Sequence, residues 1–479
     1  MKRILLFLGL VFGSLMITRP QIQNDGEKAW STDLDRYLTE TMRLHEIPGF
    51  AIAVIKDGEL EYERYFGVRE ITKQEPVDSR TIFRVYSTTK LITTTAVFQL
   101  IEKEKIALSD ALNDFYDQLP KEWGKVQIEN LLTHSSGLPD LIKFDATLTD
   151  QQLFQELFAE EMDFSPGSRF WYNQTNYWLL GEIIEKVGGT TFEAYVLKNQ
   201  FGEEKDGVFF SSNSLEKRPD RSFKYGYDHE KGSYTKTTNN DGTRGHPGNG
   251  LNLTLSAFVK WNKRLDSNIL LDQKTKEVMF SPFKFENNKD KFLLGWGDYS
   301  HGDIVSYGFT GGGVSAFRKF PEHGLTIVFL SNGYKFYPVH NYVVEQVAAI
   351  VTPEVANRSM LVQDGMLTMF LTESIEKAKR YYFEAVVKDP NINFEGTLNS
   401  IGYILMSQNR LADALEVFRL NVAEHPNSWN VYDSLGEGYY KTGQLGLAKV
   451  NYQRSIAINS QNNNGKAMLD RIAEDMKSQ

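Results

Sequence analysis

The chain has 479 residues, of which 41% are hydrophobic and 24% charged, as in soluble globular proteins of two or three domains. Its net charge of −9, with no compensating basic run, argues against nucleic acid as a partner. The absence of cysteine excludes disulfides, thiol catalysis, thiolate metal sites and a lipid-modified N-terminal cysteine.

The N-terminus combines a basic start with a short apolar run. Lys2 and Arg3 precede an apolar stretch over residues 4–17, which is about the length of a signal-peptide core and short for a spanning helix. We therefore expect residues 1–22 to be a signal peptide and the protein to be periplasmic or extracellular. An uncleaved membrane anchor through residues 4–17 is the alternative.

Strand patterns open and close the region that follows, and helices fill its middle. Apolar spacing predicts a helix over residues 32–45, and the Asp57-Gly58 pair then favours a hairpin between two strands. Strands return over residues 303–333, and a helix over residues 338–350 follows. We therefore predict one domain, residues 30–352, with a sheet built from both ends of its sequence and helices on its faces.

The tail shows an internal repeat whose offset equals the period of a tetratricopeptide repeat, about 34 residues. We predict a linker over residues 353–372 and an all-α repeat domain over residues 373–475, with a degenerate first unit that includes Ala378 and Phe383. An unrelated helical bundle is the alternative. Such repeats can hold a protein partner or mediate self-association. The offset pairs Gly402 with Gly436, Leu411 with Leu445, Ala414 with Ala448 and Phe418 with Tyr452.

Ser87 and Lys90 stand three residues apart at the predicted start of a largely apolar helix. Residues at this spacing lie on one helix face, so the lysine amino group can reach the serine oxygen. The helix N-terminus favours negative charge on the serine, and a desolvated lysine releases its proton more easily. Taken alone, such a pair is very common and is better explained by a capping serine and a solvated lysine.

Three segments together resemble the serine β-lactamase and D,D-peptidase superfamily. They are FRVYSTTK at residues 83–90, IENLLTHSSGLPDL at residues 128–141, and the segment at residues 166–196 that contains WYNQTNYWLLGEII. The resemblance covers about residues 30 to 350 and is closest to the class C β-lactamase-like branch, which includes carboxylesterases and D-amino acid peptidases. It implies a three-layer α/β fold, with an antiparallel sheet, flanking helices and a mostly helical subdomain.

The resemblance also implies the catalytic residues. Ser87 would attack a carbonyl to form an acyl-enzyme, while Lys90 and Tyr172 would move the protons. The backbone N–H groups of Ser87 and Gly312 would form the oxyanion hole. Without the other motifs, Tyr172 would be read as a packed aromatic in an aromatic-rich stretch.

Two positions depart from the family pattern. Gln174 replaces the usual Asn of the second motif, and it keeps an amide that can hold Lys90 or a substrate amide. The third motif reads Phe309-Thr310-Gly311, so Phe309 replaces the usual Lys or His. We expect these four residues to bind substrate. The loss of a cation at Phe309 disfavours penicillins and favours an ester or a peptide with an apolar flank.

The sequence thus predicts a serine hydrolase of esters or of amides in D-amino acid or peptidoglycan-like peptides. A true β-lactamase or D,D-carboxypeptidase is one alternative, and an inert hydrolase fold whose repeats hold a partner is another. The eight His residues show no metal-binding spacing, so we expect neither a metal nor an organic cofactor. We interpret His134 as a structural residue and His246 as a loop residue.

Overall fold

The computed structural model describes residues 28–478, so the predicted signal peptide or anchor lies outside the described residues. Within residues 28–478, no helix is long and apolar enough to cross a membrane. The helices are α1 (Ser31–His45), α2 (Thr89–Glu102), α3 (Ile128–Leu132), α4 (Asp150–Ala159), α5 (Gln174–Gly188), α6 (Phe192–Val196), α7 (His246–Asn249), α8 (Leu255–Asp266), α9 (Gln273–Met279), α10 (His340–Val351), α11 (Arg358–Thr372), α12 (Ile375–Lys388), α13 (Glu395–Ser407), α14 (Leu411–Glu424), α15 (Trp429–Lys441), α16 (Leu445–Ile458) and α17 (Asn463–Ser478).

A seven-stranded antiparallel sheet forms the centre of the N-terminal domain, with the strand order β3-β2-β1-β12-β11-β10-β9. Two small three-stranded sheets, β4-β8-β5 and β13-β6-β7, lie beside it. The strands are β1 (Gly49–Lys56), β2 (Glu59–Glu70), β3 (Glu75–Pro76), β4 (Ile82–Arg84), β5 (Val208–Phe210), β6 (Tyr225–Asp228), β7 (Ser233–Lys236), β8 (Leu251–Thr254), β9 (Gly297–Asp298), β10 (Tyr307–Gly311), β11 (Ser315–Phe320), β12 (Leu325–Ser331) and β13 (Gly333–Tyr334).

The predicted sheet from both ends of the sequence is confirmed, because β1 pairs with β12 across the centre. The hairpin between β1 and β2 turns at Asp57 and Gly58, which both have positive φ angles, as a two-residue hairpin turn requires. β1 is buried along almost its whole length because helices cover both faces of the sheet. One face packs against α2 and α8, and the other packs against α1 and α10.

The region expected to be a linker, residues 353–372, contains a helix instead. Helix α11 buries Val362, Met366, Leu367 and Phe370, and it packs against α10, α12 and α13. The core on the α10 face of the sheet therefore continues without interruption into the C-terminal helices. The sequence did not reveal that α11 joins the two regions. The helix is only partly buried between them, so its composition is a mixture of polar and apolar residues.

The C-terminal region is all helical, and its helices follow the predicted offset. Helix α15 begins one repeat period after α13, and α16 begins one repeat period after α14. The small residues face the aromatic ones, since a Cβ on Gly402 would lie 2.3 Å from the Phe418 ring and one on Gly436 would lie 3.1 Å from the Tyr452 ring. Glycine at these positions thus lets consecutive helices approach closely.

The first helix pair corrects one residue of the predicted repeat. In α12 the buried aromatic side chain is that of Tyr382, which is 1% exposed, while Phe383 is 47% exposed. Phe383 instead lines an open surface groove with Lys379 and Val387. Three consecutive aromatic residues, Tyr381 to Phe383, left the position of the repeat aromatic ambiguous in the sequence, and burial identifies it as Tyr382.

This pair of neighbours yields a matched test of the repeat packing. We expect Tyr382→Ala to lower the free energy of unfolding by about 3 kcal/mol, because it empties a filled core position. We expect Phe383→Ala to lower it by less than about 1 kcal/mol, because that ring is largely in solvent. Urea unfolding followed by circular dichroism measures both values. Equal losses in the two variants would contradict this packing.

Candidate active site

Ser87 lies in a short 3₁₀ turn, Tyr86–Thr88, between β4 and the first residue of α2. The residue before it, Tyr86, has a φ of 47°, in the left-handed region that non-glycine residues rarely adopt. The Arg84 guanidinium stacks on the Tyr86 ring at 4.3 Å and helps hold this conformation. Ser87 itself is partly exposed, so the turn presents its hydroxyl at the surface of a buried segment.

Lys90 is fully buried, one turn further along the chain. Its amino group donates hydrogen bonds to the Gly248 carbonyl at 2.9 Å and to Gln174 Oε1 at 3.1 Å. The rings of Tyr172 and Tyr177 lie 4.8 and 4.9 Å from the same nitrogen. A buried amino group needs such partners, so these contacts fix Lys90 beside Tyr172.

Tyr172 lies just before α5 and is 37% exposed. Its ring rests against the His134 ring, with centroids 4.4 Å apart. Burial lowers the pKa of His134 well below its ordinary value, so the imidazole is neutral and its Nδ1 accepts a hydrogen bond from the Asn173 N–H at 3.2 Å. His134 thus supports the backbone that carries Tyr172, in agreement with the structural role expected for it.

Gln174 begins α5, and its side chain is directed at Lys90. Its backbone N–H donates to Asp140 Oδ1 at 3.1 Å, and its Oε1 accepts from Lys90. The residue is not part of the cavity wall around Ser87. Of the two roles expected for this amide, the structure therefore supports contact with Lys90 over direct contact with substrate.

Ser87, Tyr172, Phe309 and Thr310 meet in one cavity of about 280 Å³. Four predicted site residues, from three distant parts of the sequence, are thus brought together. Phe309 is 6% exposed and packs edge-to-face with the Phe292 ring at 6.1 Å. The remaining wall residues, none of which was among the predicted site residues, are Phe170, Phe292, Gly297 and Tyr299.

The glycines of the third motif bring its backbone close to the 3₁₀ turn that carries Ser87, which we call the nucleophile turn. A Cβ on Gly311 would lie 2.0 Å from the Val85 carbonyl and 2.8 Å from the Ser87 nitrogen. Gly312 has a φ of 55°, and a Cβ there would lie 2.6 Å from the Tyr86 ring. A side chain fits at neither position, so glycine is required for this close approach. The pairing of the Ser87 and Gly312 N–H groups as an oxyanion hole stays a prediction.

Ser315, which the sequence interpretation missed, ties these two backbone segments together. Its buried Oγ donates a hydrogen bond to the Val85 carbonyl at 2.6 Å and lies 2.8 Å from Thr88 Oγ1. The same oxygen lies 3.3 Å from the Gly311 carbonyl. The Ser315 hydroxyl thus connects Val85 and Thr88, which flank the Ser87 position in the chain, to Gly311 at the end of β10. Only the through-space contact reveals it, because Ser315 and Val85 lie far apart in the sequence.

Histidine in the site region serves packing and hydrogen bonding. His246 begins α7, and its Nδ1 lies 2.5 Å from Glu193 Oε1. Because α7 also carries the Gly248 carbonyl that accepts from Lys90, this pair helps to hold the lysine partner in place. Across residues 28–478, no group of three or more His, Asp or Glu side chains is arranged to hold a metal ion.

The sequence comparisons agree with this geometry. The Beta-lactamase family model matches residues 34–351 of the chain, a range that contains Ser87, Lys90, Tyr172 and the third motif. Penicillin-binding protein 4* of Bacillus subtilis (strain 168) is 26% identical over 312 residues, which cover 60% of this chain and 68% of that protein.

Solved structures with the same fold cover a similar region. The octameric penicillin-binding protein homologue from Pyrococcus abyssi has a TM-score of 0.58 and 24% identity, and the match covers 70% of this chain and 81% of that one. The D-amino acid amidase from Ochrobactrum anthropi SV3 also has a TM-score of 0.58, with 19% identity, and the match covers 68% of this chain and all of that one. At these identities the likeness shows a shared fold.

The Ser315 contacts yield a prediction about Ser87 reactivity. Ser315→Ala removes the link between the nucleophile turn and β10, so we expect Ser87 to react with a fluorophosphonate roughly tenfold more slowly. Ser331→Ala is the matched control, because the buried Ser331 hydroxyl donates to the Val314 carbonyl in the adjoining turn at 3.0 Å and not to the nucleophile turn. Intact mass spectra recorded over time give the labelling rate of Ser87 in each variant. Equal slowing in both variants would assign the effect to a general loosening of the fold.

Proposed function

This chain belongs to the Beta-lactamase family and is a serine hydrolase, and on that premise we propose that it cleaves amides or esters through an acyl-enzyme on Ser87. The observation that carries the proposal is the shared cavity of Ser87, Tyr172 and Thr310, with the Lys90 amino group buried behind the Tyr172 ring. This arrangement supplies a nucleophile, a tyrosine that can accept its proton as the phenolate, and a buried amino group beside the tyrosine ring.

In the proposed acylation step, Ser87 Oγ attacks the substrate carbonyl while its proton passes to the Tyr172 phenolate. The Lys90 amino group, which lies 4.8 Å from the Tyr172 ring in a buried setting, stabilises this phenolate before it takes the proton. The N–H groups of Ser87 and Gly312 receive the negative charge on the carbonyl oxygen. Tyr172 then donates its proton to the leaving amine or alcohol.

The proposed deacylation step uses the same groups in reverse order. Tyr172 takes a proton from water, the resulting hydroxide attacks the acyl carbonyl, and the proton returns to Ser87 Oγ. Ser87 and Tyr172 both line the cavity, so substrate and water can reach the two residues from the same side. Besides these two residues, the proposed cycle uses the Lys90 amino group and the Gly312 N–H.

For the substrate, we propose amides or esters of D-amino acids and peptidoglycan-like peptides. A relative named as a penicillin-binding protein and a structural neighbour named as a D-amino acid amidase support this class. Phe309 argues against a true β-lactamase or D,D-carboxypeptidase, because the wall lacks a cation for a substrate carboxylate. We also propose export through residues 1–22. The binding or self-association role of the C-terminal helices stays a prediction.

The first test is the intact mass of the protein after treatment with a fluorophosphonate. We expect one adduct on the wild type and none on Ser87→Ala, because Ser87 is the serine that shares the cavity with Tyr172. An adduct that survives in Ser87→Ala would contradict the proposed nucleophile. A well-folded wild type that takes no adduct would favour the inert-scaffold alternative.

The role of Tyr172 is tested by removing only its hydroxyl. We expect Tyr172→Phe to lower kcat on any substrate found by about 10²-fold or more, because general-base catalysis is lost while the ring contacts remain. Tyr307→Phe, in the same β10 strand as the third motif but outside the cavity wall, is the control and should stay near the wild-type rate. Similar losses in both variants would remove Tyr172 from the proton-transfer step.

A further inference from the structure

The cavity at Ser87 is walled by aromatic rings. Of the eight residues that line it, five are aromatic, and the other three are Ser87, Gly297 and Thr310. No charged side chain is among them. The cavity volume of about 280 Å³ exceeds the roughly 150 Å³ that suffices to hold a benzene molecule in an engineered cavity. The five rings are those of Phe170, Tyr172, Phe292, Tyr299 and Phe309.

These rings are fixed by contacts with one another and with the core. Phe292 lies 5.1 Å from Phe170 and 6.1 Å from Phe309, measured between ring centroids. The Tyr299 ring has the Arg318 guanidinium behind it, 3.4 Å from the centroid, and Arg318 is paired with the buried Glu345. The apolar wall is therefore preformed and does not depend on a bound substrate for its shape.

Three of the cations around the active site are engaged by protein groups. Lys90 donates to Gly248 and Gln174, and Lys224 donates to the Gly312 carbonyl at 2.6 Å. Arg318 is held behind Tyr299 by Glu345. A carboxylate in the cavity would therefore lose its hydration without meeting a charged side chain in the wall, whereas a neutral aromatic group would gain contacts on several sides.

We propose that the cavity selects substrates that carry an uncharged aromatic or bulky apolar group next to the scissile bond and rejects those that carry a carboxylate on either side of that bond. Phe309 is the specificity-determining residue of this selection. The enzyme is then an amidase, esterase or endopeptidase of D-amino acid derivatives and not a carboxypeptidase. This inference rests on the proposed acyl-enzyme function of Ser87.

The test compares N-acetyl-D-phenylalanyl-D-alanine with its C-terminal amide, and then with N-acetyl-D-alanyl-D-alanine amide. Cleavage is followed by mass spectrometry. We expect kcat/KM to be at least about tenfold higher for the amide than for the free acid, because only the acid brings an unpaired carboxylate. We expect a further loss of about tenfold when alanine replaces phenylalanine, because the aromatic wall is then left unfilled.

Two substitutions at Phe309 assign the selection to this residue. Phe309→His introduces a polar and ionisable group, so we expect the ratio of amide to acid cleavage to fall by about tenfold and nitrocefin turnover to rise. Phe309→Leu keeps the wall apolar, so we expect its amide-to-acid ratio to stay that of the wild type, whatever its rate. An unchanged ratio in Phe309→His, or an equal change in Phe309→Leu, would overturn the assignment to Phe309.

Fluorophosphonate labelling of every variant separates this inference from the proposed function. If Ser87 is labelled but the wild type prefers the free acid, or cleaves none of the three peptides, the selection proposed here is wrong while the nucleophile stands. If Ser87 is not labelled in a folded wild type, the proposed function fails, and the selection fails with it. Labelling together with the expected order of rates supports both.

Discussion

The fully buried amino group of Lys90 is the constraint around which this domain is organised. Such a group is stable in a protein interior only where oxygen atoms replace the water it has lost. Here the oxygens come from the Gly248 carbonyl and the Gln174 side chain, so α2, α5 and α7 have to meet at one point. The His246–Glu193 contact then holds α7, and the two tyrosine rings close the remaining sides. The same packing leaves Tyr172 at the edge of the buried region and Ser87 just beyond it.

Features that are determined by short stretches of the sequence were predictable. The Asp57-Gly58 hairpin and the helices at either end of the sheet domain each depend on a few neighbouring residues, and the structure has them. The resemblance placed Tyr172 and Phe309 in one site, and the cavity contains both. Local patterns thus sufficed for the order of the layers, whereas the residues of the site came from the resemblance.

Features that depend on contacts between distant segments were not predictable. Ser315 is an ordinary residue of β11 by sequence, and its contact with Val85 exists only because β10 ends against the nucleophile turn. Gln174 could have faced substrate or Lys90, and the packing of α5 on α2 decides for the lysine. Helix α11 was taken for a linker, since its partial burial against three helices leaves only a weak apolar stripe. In each case the missing information was the identity of a partner far away in the chain.

The Phe309 departure belongs to a larger set of changes around it. A single aromatic residue among polar neighbours would indicate that the site had lost its function. Phe170, Phe292 and Tyr299, however, line the same cavity wall as Phe309. Agreement among several wall positions indicates a site adapted to apolar ligands, because chance loss of a cation would not also supply packed rings behind it. No charged side chain lines the cavity, so the wall offers a ligand mainly apolar contact area.

The uninterrupted core between the sheet and the C-terminal helices limits where this chain can be truncated. Phe370 and Leu398 belong to the same buried cluster as Phe329 of the central sheet, with α11 between them. A cut near residue 371 would pass through this cluster and expose its apolar interior to water, so a truncated chain would be prone to aggregate. The hydrolase and its helical extension therefore share one core, so the extension also shields apolar surface of the sheet domain from water.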